Sequence, residues 1–244
     1  MSVPLPNIAR MLSRAGPWDT LRALVAERAG PLSDPATAGP GLCVTCRGPV
    51  HGRYTRCFHC ALHAESAPGL LADVVEPAAY ARKGSQLARD LWMYKSARPG
   101  AREAGQALLA LLVVFLHDHG QRVWRRAGMP APTHACVVPS CRGRQGPHPL
   151  QAMARRYLTV PWVSLRTQPG ADRWDRALDP DRFAAAAPLP GAAVLLLDDT
   201  WTSGSSAQSA VIALKRAGAR RVAAVVLGRH LGPHPGSGPA AGPR

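Results

Sequence analysis

Residues 192–206, AAVLLLDDTWTSGSS, decide how the rest of the chain is read. Positions 192–197 form a short, almost purely apolar run, the pattern of a strand covered on both faces in a parallel sheet. Asp198 and Asp199 stand at its carboxyl end, where open α/β sheets bind ligands. Thr202, Ser203, Gly204, Ser205 and Ser206 follow, and from Ser206 the apolar positions Val211, Leu214 and Ala217 recur at helical spacing. Backbone N–H groups at such a helix start, with hydroxyls and one glycine for close approach, make a phosphate cradle. A buried strand ending in an acidic turn that caps the next helix has the same outline. An adjacent acid pair followed at fixed offset by TSGSS asks for more than a cap.

The stretch resembles the signature of type I phosphoribosyltransferases: an apolar strand, two acids, two variable residues, then Thr-Ser-Gly and further hydroxyl residues. The resemblance implies that Asp198 and Asp199 are the catalytic acids, taking the ribose hydroxyls of phosphoribosyl pyrophosphate (PRPP). It also implies that Thr202, Ser203, Gly204, Ser205 and Ser206 hold its 5′-phosphate, with Mg2+ as cofactor. In oxopurine-specific members an Asp stands where this chain has Thr202, which argues against a hypoxanthine-guanine enzyme. Trp201, at the second variable position, stacks on a ligand or shields the sheet end; the spacing does not decide.

The chain has 244 residues, enough for one α/β domain and a small accessory module. Only 5% of it is aromatic, so the core should be aliphatic. The formal net charge is +15, and just three of the 30 basic residues are lysines. Such a balance fits an anionic partner, although a coding bias toward Arg, Ala, Gly and Pro yields the same excess. Residues 1–14 lack the continuous apolar stretch of a secretory signal, and the longest apolar segment, 107–116, is too short to span a bilayer. A cytoplasmic protein without a membrane span is the expectation, and there paired cysteines are more often metal ligands than disulfides.

Cys43 and Cys46 form one CxxC, Cys57 and Cys60 another, with ten residues between. Two such pairs put four thiolates within reach of one tetrahedral Zn2+, and Gly48 and Gly52 let the intervening chain turn back. The site would be closed and structural, and the metal would supply most of the stability of so small a ribbon. Two reducible cysteine pairs remain the plainer alternative. His51, His59 and His63 lie near, but four cysteines already complete the set.

Between Asp118 and Asp172 there is no acidic residue and there are eight arginines. That block suits a polyphosphate or a nucleic-acid backbone. Inside it, residues 135–138 read as a strand, ended by Pro139 and followed by an Arg/Gly-rich loop and a helix starting near Pro149. Amides beside Arg142 and Arg144 could bind pyrophosphate. Paired cysteines, a Tyr-Lys segment at 94–95, Val-Val-Pro with an Arg-Gly loop, and then the acid-pair signature resemble, in that order, the competence protein F (ComF)-like phosphoribosyltransferases over residues 40–230. The resemblance implies that Pro139, Ser140, Arg142 and Arg144 grip pyrophosphate and that Lys95 belongs to a flexible hood. It also implies a non-enzymatic alternative, an adaptor in single-stranded DNA uptake or processing beside a helicase. A homodimer would match many type I enzymes.

The remaining elements read as a helix at 18–29, a linker at 31–41, a strand at 70–75, helices around 87–94 and 102–117, and strands at 160–166 and 220–227. The expected organisation is an amino-terminal helix and linker (1–39), a zinc ribbon (40–64), a phosphoribosyltransferase domain (65–231) and a disordered tail (232–244). The expected fold class is α/β: a twisted, mostly parallel sheet with helices on both faces, preceded by the ribbon.

Overall fold

A computed structural model of the chain describes residues 18–30, 39–140, 148–169 and 177–231. The tail from Gly232 and the loop bearing Arg142 and Arg144 lie outside the described residues. The elements in order are α1 (Trp18–Ala29), α2 (Phe58–Ser66), β1 (Val74–Arg82), α3 (Gln86–Met93), α4 (Ala101–Arg126), β2 (His134–Val137), α5 (Pro149–Ala154), β3 (Leu165–Thr167), β4 (Phe183–Ala185), β5 (Ala193–Trp201), α6 (Ser205–Arg216) and β6 (Arg221–Leu231).

Four strands form a wholly parallel sheet in the order β1-β6-β5-β2. Parallel strands need crossover connections, and helices supply them. The central strands alternate sides with the period of the pleat. Leu195, Leu197, Ala223, Val225 and Leu227 face one buried cluster with residues of α3 and α4. Val194, Leu196, Val222, Ala224 and Val226 face a second cluster with residues of α6. Helices therefore cover both faces, as the apolar run at 192–197 leads one to expect. Among the described residues, no helix is long and apolar enough to cross a membrane.

Several boundaries differ from the sequence reading. The strand placed at 70–75 begins only at Val74 and runs to Arg82, with Pro77 inside it. Proline removes a ladder donor, and β1 tolerates it because it is an edge strand. The long helix runs nine residues beyond His117, to Arg126, because Val123 and Trp124 continue its buried face. The strand expected at 160–166 splits. Trp162 makes a single parallel bridge to Ala135, while Leu165–Thr167 turns away to pair antiparallel with β4 in a separate two-stranded sheet.

Candidate functional site

β5 does not stop before the acid pair; it continues through Asp198 and Asp199 to Trp201. Both carboxylates thus sit on the strand's last turn of pleat, with β6 still paired alongside. Gly204 follows with φ 85°, and α6 starts at Ser205. A Cβ on Gly204 would lie 2.0 Å from the Trp201 ring, so only glycine lets the loop close over that indole. Trp201 is 1% exposed and underlies the loop, the shielding role of the two open at the sequence level. The Ser203 hydroxyl donates to Ser205 Oγ (3.2 Å) and accepts from the Ser205 amide (3.4 Å), bracing the turn. Thr202 is exposed and Ser206 half-buried.

Around this turn the carboxyl edge of the sheet collects the other expected residues. β2 pairs with β5 so that Val138 N donates to Leu197 O at 3.0 Å, and Pro139 and Ser140 leave the sheet beside the acid pair. From the other side, Tyr94, the residue that ends α3, donates its hydroxyl to Asp199 Oδ2, and Lys95 forms an ion pair with the same oxygen. The hood candidate Lys95 therefore rests on the second acid. Asp199 is 5% exposed. Burial, reinforced by the charge of Asp199, pushes the Asp198 carboxyl up to about 8, while Lys95 and the backbone amides of Asp199 and Thr200 pull it back.

The four cysteines come together. Their sulfurs all lie within 4.8 Å of one another, and no histidine belongs to that group among the described residues. Four soft thiols at this spacing, on a turn and a helix start, suit a tetrahedral Zn2+. Hydrogen bonds from Cys46, then Cys57 and Cys60, hold the Cys43 thiol below its usual range. The first pair lies in a turn closed by Cys43 N to Gly48 O (2.7 Å) and Arg47 N to Cys43 O (3.0 Å). A positive φ in that turn falls on Arg47 (56°), while Gly52, one of the two glycines expected to turn the chain back, carries φ 60°. The second pair is no strand: Cys57 is the N-cap of α2 and Cys60 lies in its first turn, where the helix dipole favours a thiolate.

Three residues that sequence reasoning passed over hold this assembly. Glu76, fully buried on β1, takes the Arg47 guanidinium at 3.0 Å and an ion pair from Arg126. Arg229, 8% exposed near the end of β6, donates to the carbonyls of Trp201 and Thr202. Arg182, 2% exposed, donates to Ser206 Oγ at 3.2 Å. Glu76 and Arg229 each carried a signal, a lone charge in or next to an apolar run. Arg182 carried none, since its neighbour Ser206 is 24 residues away.

No family model matches the chain, and no curated protein matches it. Solved structures do. Adenine phosphoribosyltransferase from Leishmania tarentolae is similar at 21% identity and TM-score 0.34, over 55% of this chain and 59% of that one. A phosphoribosyltransferase from Corynebacterium diphtheriae is similar at 18% identity and TM-score 0.34, over 73% of this chain and 98% of that one. A purine phosphoribosyltransferase from Pyrococcus horikoshii is similar at 12% identity and TM-score 0.32, over 57% of this chain and 93% of that one. The chain spans less than two thirds of the length of the Leishmania enzyme.

Proposed function

We propose that the chain binds PRPP with Mg2+ and transfers its phosphoribosyl group to a nitrogen nucleophile. The observation that carries this reading is the single strand-loop-helix turn in which two carboxylates precede, by fixed offset, a glycine-closed loop at a helix start. In this reading the amides of residues 203–206 and their hydroxyls hold the 5-phosphate, with the positive end of the α6 dipole behind them. Asp198 and Asp199 accept from the ribose hydroxyls at the carboxyl end of β5. Mg2+, when bound, would neutralise the pyrophosphate and ease its departure.

The bond from the anomeric carbon to the pyrophosphate oxygen breaks with its electron pair leaving on pyrophosphate. The bond to nitrogen forms on the face opposite the departing pyrophosphate, and the nucleophile's surplus proton goes to solvent or pyrophosphate. The protein's part is placement and charge, not proton transfer. Lys95, paired with Asp199, has to exchange that partner for a phosphate oxygen as ligand enters, which is how a hood residue would close. In the same proposal Pro139 and Ser140, with Arg142 and Arg144, face the pyrophosphate, the cysteines hold one Zn2+, and residues 40–64 are the zinc ribbon preceding the transferase domain of residues 65–231.

Calorimetric titration of zinc-loaded protein with PRPP, with and without Mg2+, tests the reading. Magnesium-dependent heat that Asp198→Asn/Asp199→Asn abolishes supports it; absence of heat in the wild type, with no competition by ribose 5-phosphate, overturns it. One observation favours a second reading, the adaptor for single-stranded DNA. Tyr54 (70% exposed) and Phe58 (73% exposed) stand on the cysteine-bearing segment beside exposed Arg53 and Arg56, an aromatic-and-basic surface suited to stacked bases. Loss of oligonucleotide binding on neutralising Arg53 and Arg56, with no PRPP heat, would establish that reading instead.

A further inference from the structure

The cysteine cluster and the phosphate loop are adjoining structures, and one side chain touches both. Arg229 Nη1 donates to Trp201 O (3.1 Å), Thr202 O (3.2 Å) and His230 O (2.6 Å). Its Nη2 lies against the cysteine turn so closely that a Cβ on Gly48 would come within 2.5 Å of it. Its Nε has no hydrogen-bond partner, and among the described residues no carboxylate pairs with Arg229. A guanidinium buried among neutral carbonyls is costly unless an anion stands near. On its other side the guanidinium lies against the turn that carries Cys43 and Cys46, and thiolates gathered there on a divalent ion would supply such a charge. Four thiolates around one divalent ion keep a net negative charge.

We propose that Arg229 is a positioning residue that makes the geometry of the phosphate loop depend on metal occupancy of the Cys43, Cys46, Cys57 and Cys60 cluster. The inference rests on the metal and phosphate readings above. With metal bound, the ordered cysteine turn holds the guanidinium beneath the loop, and the guanidinium fixes the two carbonyls that immediately precede Ser203. Those carbonyls belong to peptides whose orientation sets the direction of the next amides, the ones aimed at the phosphate. Trp201 transmits the same constraint, because its ring lies under Gly204. When the metal leaves, the turn that the four sulfurs close loosens, Arg229 loses the surface it packs against and the loop loses its anchor. The metal centre then does more than stabilise its own segment: it gates ligand binding at the sheet edge.

Hydrogen exchange read by mass spectrometry over residues 200–206 tests this, alongside metal content and calorimetric titration with ribose 5-phosphate. Arg229→Met should keep one zinc per chain, raise exchange over 200–206 at least tenfold and weaken ribose 5-phosphate at least tenfold. Chelation of the wild type should open the same residues to the same degree, and chelation of Arg229→Met should open them no further. Wild-type exchange over 200–206 in zinc-loaded Arg229→Met overturns the proposal, as does equal further opening of both proteins on chelation. Should Arg229→Met lose protection in α4 and so fail to fold, Gly48→Ala serves instead. The three atoms nearest its Cβ all belong to the Arg229 guanidinium, which it displaces without removing, so it should open 200–206 with zinc retained; unchanged exchange there overturns the proposal. The exchange and metal readouts do not need the ligand. Failure of wild type to bind ribose 5-phosphate therefore sinks the phosphate reading alone.

Discussion

Tyr94 and Asp199, 105 residues apart in sequence, are joined by a hydrogen bond in which the buried phenol donates to Oδ2 of the carboxylate. The end of α3 is thereby tied to the end of β5, and the second acid is held in one orientation before any ligand arrives. Tyr94→Phe keeps the packing of the ring and removes only the donor. A hydrogen bond to a charged acceptor contributes about 1.5–3 kcal/mol. The variant should fold, and its affinity for ribose 5-phosphate should fall about tenfold or more, measured by calorimetry.

Asp198 carries a pH dependence of defined sign. Its carboxyl moves from an ordinary 3.8 up to about 8 in the folded protein. Below about pH 4 the group is protonated in both states and has no effect. Between about 4 and 8 the folded protein holds a proton that the unfolded chain has released, so stability falls as pH rises and the loss is complete above about 8. Melting temperatures across this window should decline in the wild type and less steeply in Asp198→Asn. Parallel curves would show that Asp198 ionises normally.

Gly204→Ala should be severe for two reasons that add. Its φ of 85° disfavours a side chain, and the new Cβ would overlap the Trp201 ring at 2.0 Å. Left-handed strain and overpacking together amount to about 2–4 kcal/mol. Adding Trp201→Leu should recover part of the denaturation midpoint, because it vacates the space. Recovery of stability without recovery of phosphate binding would place the remaining defect in the loop's backbone.

Glu76→Ala leaves the Arg47 guanidinium, 3% exposed, without its carboxylate. Breaking one partner of a buried pair costs about 3–5 kcal/mol. The Arg126 contribution is smaller, since that side chain is 32% exposed and screened by water. Urea denaturation should show the loss. Because Arg47 follows Cys46 in the cysteine turn, the same variant should also release zinc to a chelator faster than the wild type.

What the sequence determined by itself was whatever local pattern encodes. The period of the apolar residues placed α6 and α1 within a residue or two and found the start of β5, and the two CxxC spacings named the four sulfurs that gather within 4.8 Å. These features are legible because their partners are near in the chain or repeat with the geometry of one element. The tertiary structure decided the rest: that β1 lies at the edge beside β6 and so can carry Pro77, that residues 160–166 divide between two sheets, and that Tyr94 and Lys95 converge on Asp199. It also decided which buried charges meet, Glu76 with Arg47 and Arg126, and Arg229 with the carbonyls below the loop. No short-range rule specifies such pairs, because a buried ion is satisfied by whatever counter-charge or acceptor the packed layers bring to it, and that is settled only when the sheet assembles.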